Sequence, residues 1–157
     1  MQIDVVGGAR ADALRLDAED GNGIDALVLE EDTDLILIQP PIAADTSEHP
    51  IRLMTALYAT PAHCPGTIII KREVPLRILA IVHDLALDPS TRRCWIEQAL
   101  DASLVACLHR GCRCIVIEAL GSVHGRFPQA EFEVLLHRVL EARNNACLRQ
   151  IYILSSA

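Results

Sequence analysis

The run Gly121-Ser122-Val123-His124-Gly125-Arg126 brings together residue types suited to holding an anion. Its glycines let backbone N–H groups converge, while Ser122, His124 and Arg126 add a hydroxyl, an imidazole and a guanidinium. Pro128 follows, and proline fits the first turn of a helix, where the helix dipole favours negative charge. Phosphate-type binding by residues 121–126 is therefore one expectation. A plain strand-to-helix turn, with glycines serving geometry alone, is the other. His83 and Asp84 form a second group, pointing to opposite faces of a strand end. His83 could approach His124 as an acid/base partner, or satisfy a buried polar group.

Other reactive side chains carry weaker signals. Cys112 and Cys114, with Cys107 and His109 nearby, are soft-ligand types, and the two are predicted to face one side of an extended segment. No second Cys/His pair completes a four-ligand site, so no metal and no cofactor are expected. Glu30, Glu31, Asp32 and Asp34 are read as a hairpin-like turn or solvent-facing loop rather than a cation site. No Gly-x-Ser-x-Gly elbow, phosphate-loop lysine motif or His-Glu-x-x-His motif occurs, which leaves His83 and His124 as the catalytic candidates.

The second half of the chain supplies the elements that must place these residues. Leu76 to His83 is apolar almost throughout, as strands covered on both faces are. Asp88 to Thr91 offers caps for a helix with an inner face of Ile96, Ala99, Leu100, Ser103, Leu104 and Cys107. Gly111 suits the left-handed position past its end. Cys114 to Leu120 is the central strand. Phe132, Leu135, Leu136, Val139 and Leu140 recur at helical spacing after Pro128, and Gln150 to Leu154 closes the unit. Such a βαβαβ order over 76–155 implies parallel strands with right-handed crossovers. Residues 1–75 are less regular. Strands are expected near 2–6, 24–29, 35–38 and 67–70, and a short helix over 51–58 between proline-rich breaks.

The 157 residues fit one domain with a substantial core. That core must be aliphatic, because the chain is 51% hydrophobic but 3% aromatic. A net charge of −7 argues against general nucleic-acid binding through phosphate neutralisation. The start, Met1-Gln-Ile-Asp, lacks the basic and apolar regions of a signal peptide, and no apolar run approaches the roughly 20 residues needed to span a bilayer. A cytoplasmic setting with six free thiols is expected, and no membrane partner.

The sequence resembles a macro domain. Val82-His83, the helix containing Trp95 to Ala106, then Glu118-Ala119-Leu120-Gly121-Ser122 and Phe127-Pro128 follow the family's order of Ile-His strand, long helix, glycine loop and Gly-Phe-Pro step. Gly23-Ile24-Asp25-Ala26-Leu27-Val28 is similar to the family's Val-Asp-Ala-Ile-Val segment, and Cys64-Pro65-Gly66-Thr67 to its turn before a strand. The resemblance implies an α/β, macro-like three-layer sandwich. Its sheet would be mixed and mostly parallel, with helices on both faces, and it would form a single domain over 1–157. It also implies an ADP-ribose-like or nucleotide ligand held by Gly121, Ser122, Val123, His124, Gly125 and Arg126. The family's paired asparagines are replaced by Leu29, Glu30 and Glu31, whose carboxylates would repel a diphosphate, and its first glycine loop has no counterpart. Two alternatives stay open. One is a degenerate domain acting through self-association as a homodimer, and the other is a hydrolase of ADP-ribosyl-type compounds.

Overall fold

The computed structural model describes residues 1–19, 23–37, 61–143 and 145–155. Its strands are β1 (Gln2–Val6), β2 (Ala26–Asp32), β3 (Ile68–Lys71), β4 (Leu76–His83), β5 (Cys114–Glu118) and β6 (Gln150–Leu154). The helices are α1 (Gly8–Glu19), α2 (Arg93–His109) and α3 (Gln129–Glu141). Among the described residues one six-stranded sheet runs in the order β1-β6-β5-β2-β4-β3. Every pairing is parallel except β3 with β4.

Alternation along the strands divides the core into two layers, because successive side chains leave opposite faces of a sheet. Val28, Ile78, Ala80, Ile115, Ile117, Ile151 and Ile153 pack with Ile96, Leu100, Leu104, Phe132, Leu135 and Leu136 of α2 and α3. Leu27, Leu29, Leu79, Val116 and Leu154 pack on the other side with Ala11 and Leu14 of α1. The result is the expected sandwich: a mixed, mostly parallel sheet with helices on both faces. All six inner-face positions assigned to α2 and all five assigned to α3 are buried. Gly111 has φ of +69° just beyond α2. No helix among the described residues is long and apolar enough to cross a membrane.

The first half departs from expectation in several places. Glu30, Glu31 and Asp32 are the buried end of β2, not a turn in solvent; only Asp34 of that acidic set is exposed. Leu35 to Leu37 is not a strand. The Asp32 carboxylate accepts from the N–H groups of Asp34, Ile36 and Leu37, and Glu31 Oε1 accepts from Leu37. Those bonds curl the chain away from any ladder, and Leu35 takes φ of +60°. Helix α1 had no counterpart in the sequence reading. Ile38 and the helix expected over 51–58 lie outside the described residues.

Two further expectations need correcting. The α2 N-cap is Arg92, with no side-chain cap. The polar residues before it fold back on β4 instead: Thr91 bridges to His83, and Asp84 N–H donates to Ser90 at 2.7 Å. Cys112 and Cys114 do not share a face. Cys112 lies in the core beneath α2 and α3, while Cys114 packs on the α1 side. The reason is that Cys112 precedes the strand and closes the end of α2 through its N–H to the Cys107 carbonyl.

Candidate ligand site

Parallel pairing brings the carboxyl ends of β2, β4 and β5 to one edge, which is where open α/β sheets hold ligands. Glu30, His83 and the loop after Glu118 meet there. Glu30 is fully buried. Its Oε2 accepts from Gly121 N–H at 2.5 Å, and its Oε1 from His124 N–H at 2.5 Å. His124 Nδ1 lies 2.9 Å from the same Oε1. His83 Nε2 lies 3.2 Å from Oε1, within ion-pair distance but off the line that a hydrogen bond prefers. The Glu30 N–H in turn donates to Glu118 Oε2 at 2.8 Å.

These contacts determine the state of the carboxylate. Burial alone would push the Glu30 pKa up, but the His83 contact and the N–H groups of His124 and Gly121 outweigh it and hold it below the ordinary value. An ionised carboxylate only accepts, so the protons on the facing nitrogens belong to the imidazoles: Nε2–H on His83 and Nδ1–H on His124. The expected approach of His83 to His124 is real, with ring centroids 6.5 Å apart. A buried acid mediates it.

The six loop residues have different tasks. Gly121 and His124 direct their N–H groups inward to Glu30. The Ser122 hydroxyl donates to the Phe127 carbonyl at 2.6 Å, and its N–H to Ala119, so Ser122 closes the loop. Among the described residues the N–H groups of Val123, Gly125 and Arg126 have no acceptor. Gly125 has no room for a side chain, because a Cβ would stand 2.5 Å from the Gly121 carbonyl and 2.9 Å from His83 Cε1. Asp84 turns aside and accepts from Ala86 N–H.

A cleft of about 580 Å³ opens between this loop and residues 87–91. Val123, His124, Gly125 and Arg126 form one wall, and Leu87, Asp88, Pro89, Ser90 and Thr91 the other, with Phe127 and Pro128 at the end. Ser90 and Thr91 were not singled out from the sequence. They read there as helix caps, and only the return of the chain onto His83 brings them to the cleft. Among the described residues no three His, Cys, Asp or Glu side chains are grouped to hold a metal ion.

No family model and no curated protein matches the sequence. Solved structures do match. The macrodomain of Thermus aquaticus DarG is 16% identical, with a TM-score of 0.62 over 98% of both chains. The macrodomain of Mycobacterium tuberculosis DarG is 12% identical, with a TM-score of 0.63 over 99% of both. The Oceanobacillus iheyensis macrodomain solved with ADP is 12% identical, with a TM-score of 0.61 over 98% of this chain and 83% of that one. Near-complete coverage with matching strands and helices at such low identity makes this chain a macro-domain fold.

Proposed function

We propose that the protein is a macro-like module binding a nucleotide or ADP-ribose-like phosphorylated ligand in the cleft beside residues 121–126. The observation carrying this reading is the set of unaccepted N–H groups on Val123, Gly125 and Arg126, three residues that line one wall of the cleft. Free N–H groups near a helix N-terminus favour an anion, and a guanidinium adds a charged donor. The Oceanobacillus iheyensis macrodomain was solved with ADP and, as a mutant, with ADPR, which supports the same ligand class here. A phosphate would rest on the outer N–H groups, because Glu30 takes the inner pair.

Glu30 also favours a second reading, in which this internal anion seals the loop and the domain binds no phosphate. Calorimetric titration with ADP-ribose separates the two, using Arg126→Glu as the control. Arg126 is exposed, so the change tests charge without disturbing the loop. Saturable binding weakened about tenfold or more by the variant supports the cleft, since losing a charge-assisted contact is worth about 1.5–3 kcal/mol. Absence of heat at millimolar ligand in both proteins supports the sealed loop.

A further inference from the structure

The same edge of the sheet contains a Ser–His–carboxylate series that a binding role does not use. Ser90 Oγ lies 3.3 Å from His83 Nδ1, and His83 Nε2 lies 3.2 Å from the buried Glu30. Because Nε2 keeps its proton toward an ionised carboxylate, Nδ1 presents its lone pair to the Ser90 hydroxyl. That is the protonation pattern of a serine nucleophile with its general base, with the two ring nitrogens in exchanged roles. Ser90 is half-buried and lines the cleft, whereas His83 and Glu30 are fully buried behind it. The backbone bonds of Thr91 to His83 and of Ser90 to Asp84 fix the serine from both sides.

Two further observations point to a substrate. Thr91 Oγ1 is a buried hydroxyl without a partner on a residue lining the cleft, itself 7% exposed. Gly125, whose Cβ would touch His83 Cε1 and Thr91 Cγ2, carries an unaccepted N–H beside these groups. The geometry points to a serine-dependent hydrolysis of short-chain carboxylic esters, with Ser90 and His83 as catalytic residues and Glu30 as a positioning residue. Leu87, Pro89, Val123 and Phe127 give the cleft apolar walls for an acyl chain. A neutral ester is not repelled by Glu30. This inference does not rest on a phosphorylated ligand.

The steps balance without any further reactant than water. Ser90 Oγ forms a bond to the carbonyl carbon as its proton passes to His83 Nδ1, and the negative oxygen meets the N–H groups of Gly125 and Arg126. The carbon–oxygen bond to the alcohol then breaks, and Nδ1–H protonates the departing oxygen. Water attacks the acyl-serine while giving a proton to Nδ1, which returns it to Ser90 as the acid leaves. Throughout, Nε2–H faces the Glu30 carboxylate at 3.2 Å, whose charge stabilises the imidazolium.

The test uses the purified chain with p-nitrophenyl butyrate, and an alkyl fluorophosphonate followed by peptide mass mapping. The expected result is a phosphonyl adduct on Ser90 with loss of fluoride, and ester turnover lowered at least about 100-fold in Ser90→Ala and in His83→Asn. Glu30→Gln should lower kcat about tenfold or more while KM stays within about twofold, a split that mere loss of cleft shape would not give. If His83→Asn does not fold, Ser90→Ala still decides, because the serine is half-buried at a cleft wall. Absence of a Ser90 adduct, or turnover unchanged in Ser90→Ala, overturns the proposal. A raised KM with kcat intact in Glu30→Gln removes Glu30 from the series. ADP-ribose calorimetry on Ser90→Ala reads the ligand-binding proposal separately.

Discussion

Glu30 shows how one residue can reverse the meaning of a motif. In the sequence it heads an acidic run that reads as solvated surface. In the fold it is the internal anion of a loop built to accept one. Its native pKa is depressed, so the stability it contributes is complete above the ordinary glutamate value of 4.5 and is lost as pH falls through the lower native value. The thermal midpoint of the wild type should therefore fall as pH drops below about 4.5, and that of Glu30→Gln should fall less over the same window. Scanning calorimetry from about pH 6 to about pH 3 measures both. Equal slopes would mean that other carboxylates dominate the acid transition. The sequence could not disclose this because a buried acid and an exposed one differ in their partners. Those partners, Gly121 and His124, lie about 90 residues away in the chain.

Among the elements, what was legible followed burial on a single face. Helices α2 and α3 show their apolar stripes in the spacing of Leu, Ile and Phe, and every residue assigned to those stripes is buried. Phe132 of α3 is among the largest side chains with no exposed surface. Phe132→Ala should cost about 3–5 kcal/mol, read as a lower urea midpoint with little change in slope. Exposed ion pairs, Arg138 of α3 with Glu97 of α2 and Arg143 just past α3 with Asp101 of α2, should contribute far less. The illegible elements are those whose form comes from side chain–backbone bonds. Residues 33–37 are shaped by the Asp32 carboxylate, and residues 84–91 by the return of Ser90 and Thr91 onto β4. No periodicity announces either one. Helix α1 is illegible for a different reason: Gly8 to Glu19 carries no clear apolar stripe in its sequence, and of its described side chains Ala11 and Leu14 pack against the sheet.

At the scale of the molecule, the parallel βαβαβ half was readable, and the placement of the first strands was not. Sequence order gives no sign that β2 inserts between β5 and β4, or that β1 sits at the far edge beside β6. Strand β6 is flanked by β1 and β5 and aligns Gln150 with both Gln2 and Cys114. A chain ending at Cys147 should then lose β1 from the sheet, leave the β5 edge bare and give a non-native circular dichroism spectrum or soluble aggregates on gel filtration. A native spectrum would show that the remaining strands suffice. The same arrangement has a consequence during synthesis. Strand β1 is synthesised before every other strand of this sheet, yet the partner that holds it, β6, is the last of them. Its backbone donors must stay solvated, or be shielded by other proteins, until β6 has emerged, so the sheet is completed from its far edge only after the strands between them exist.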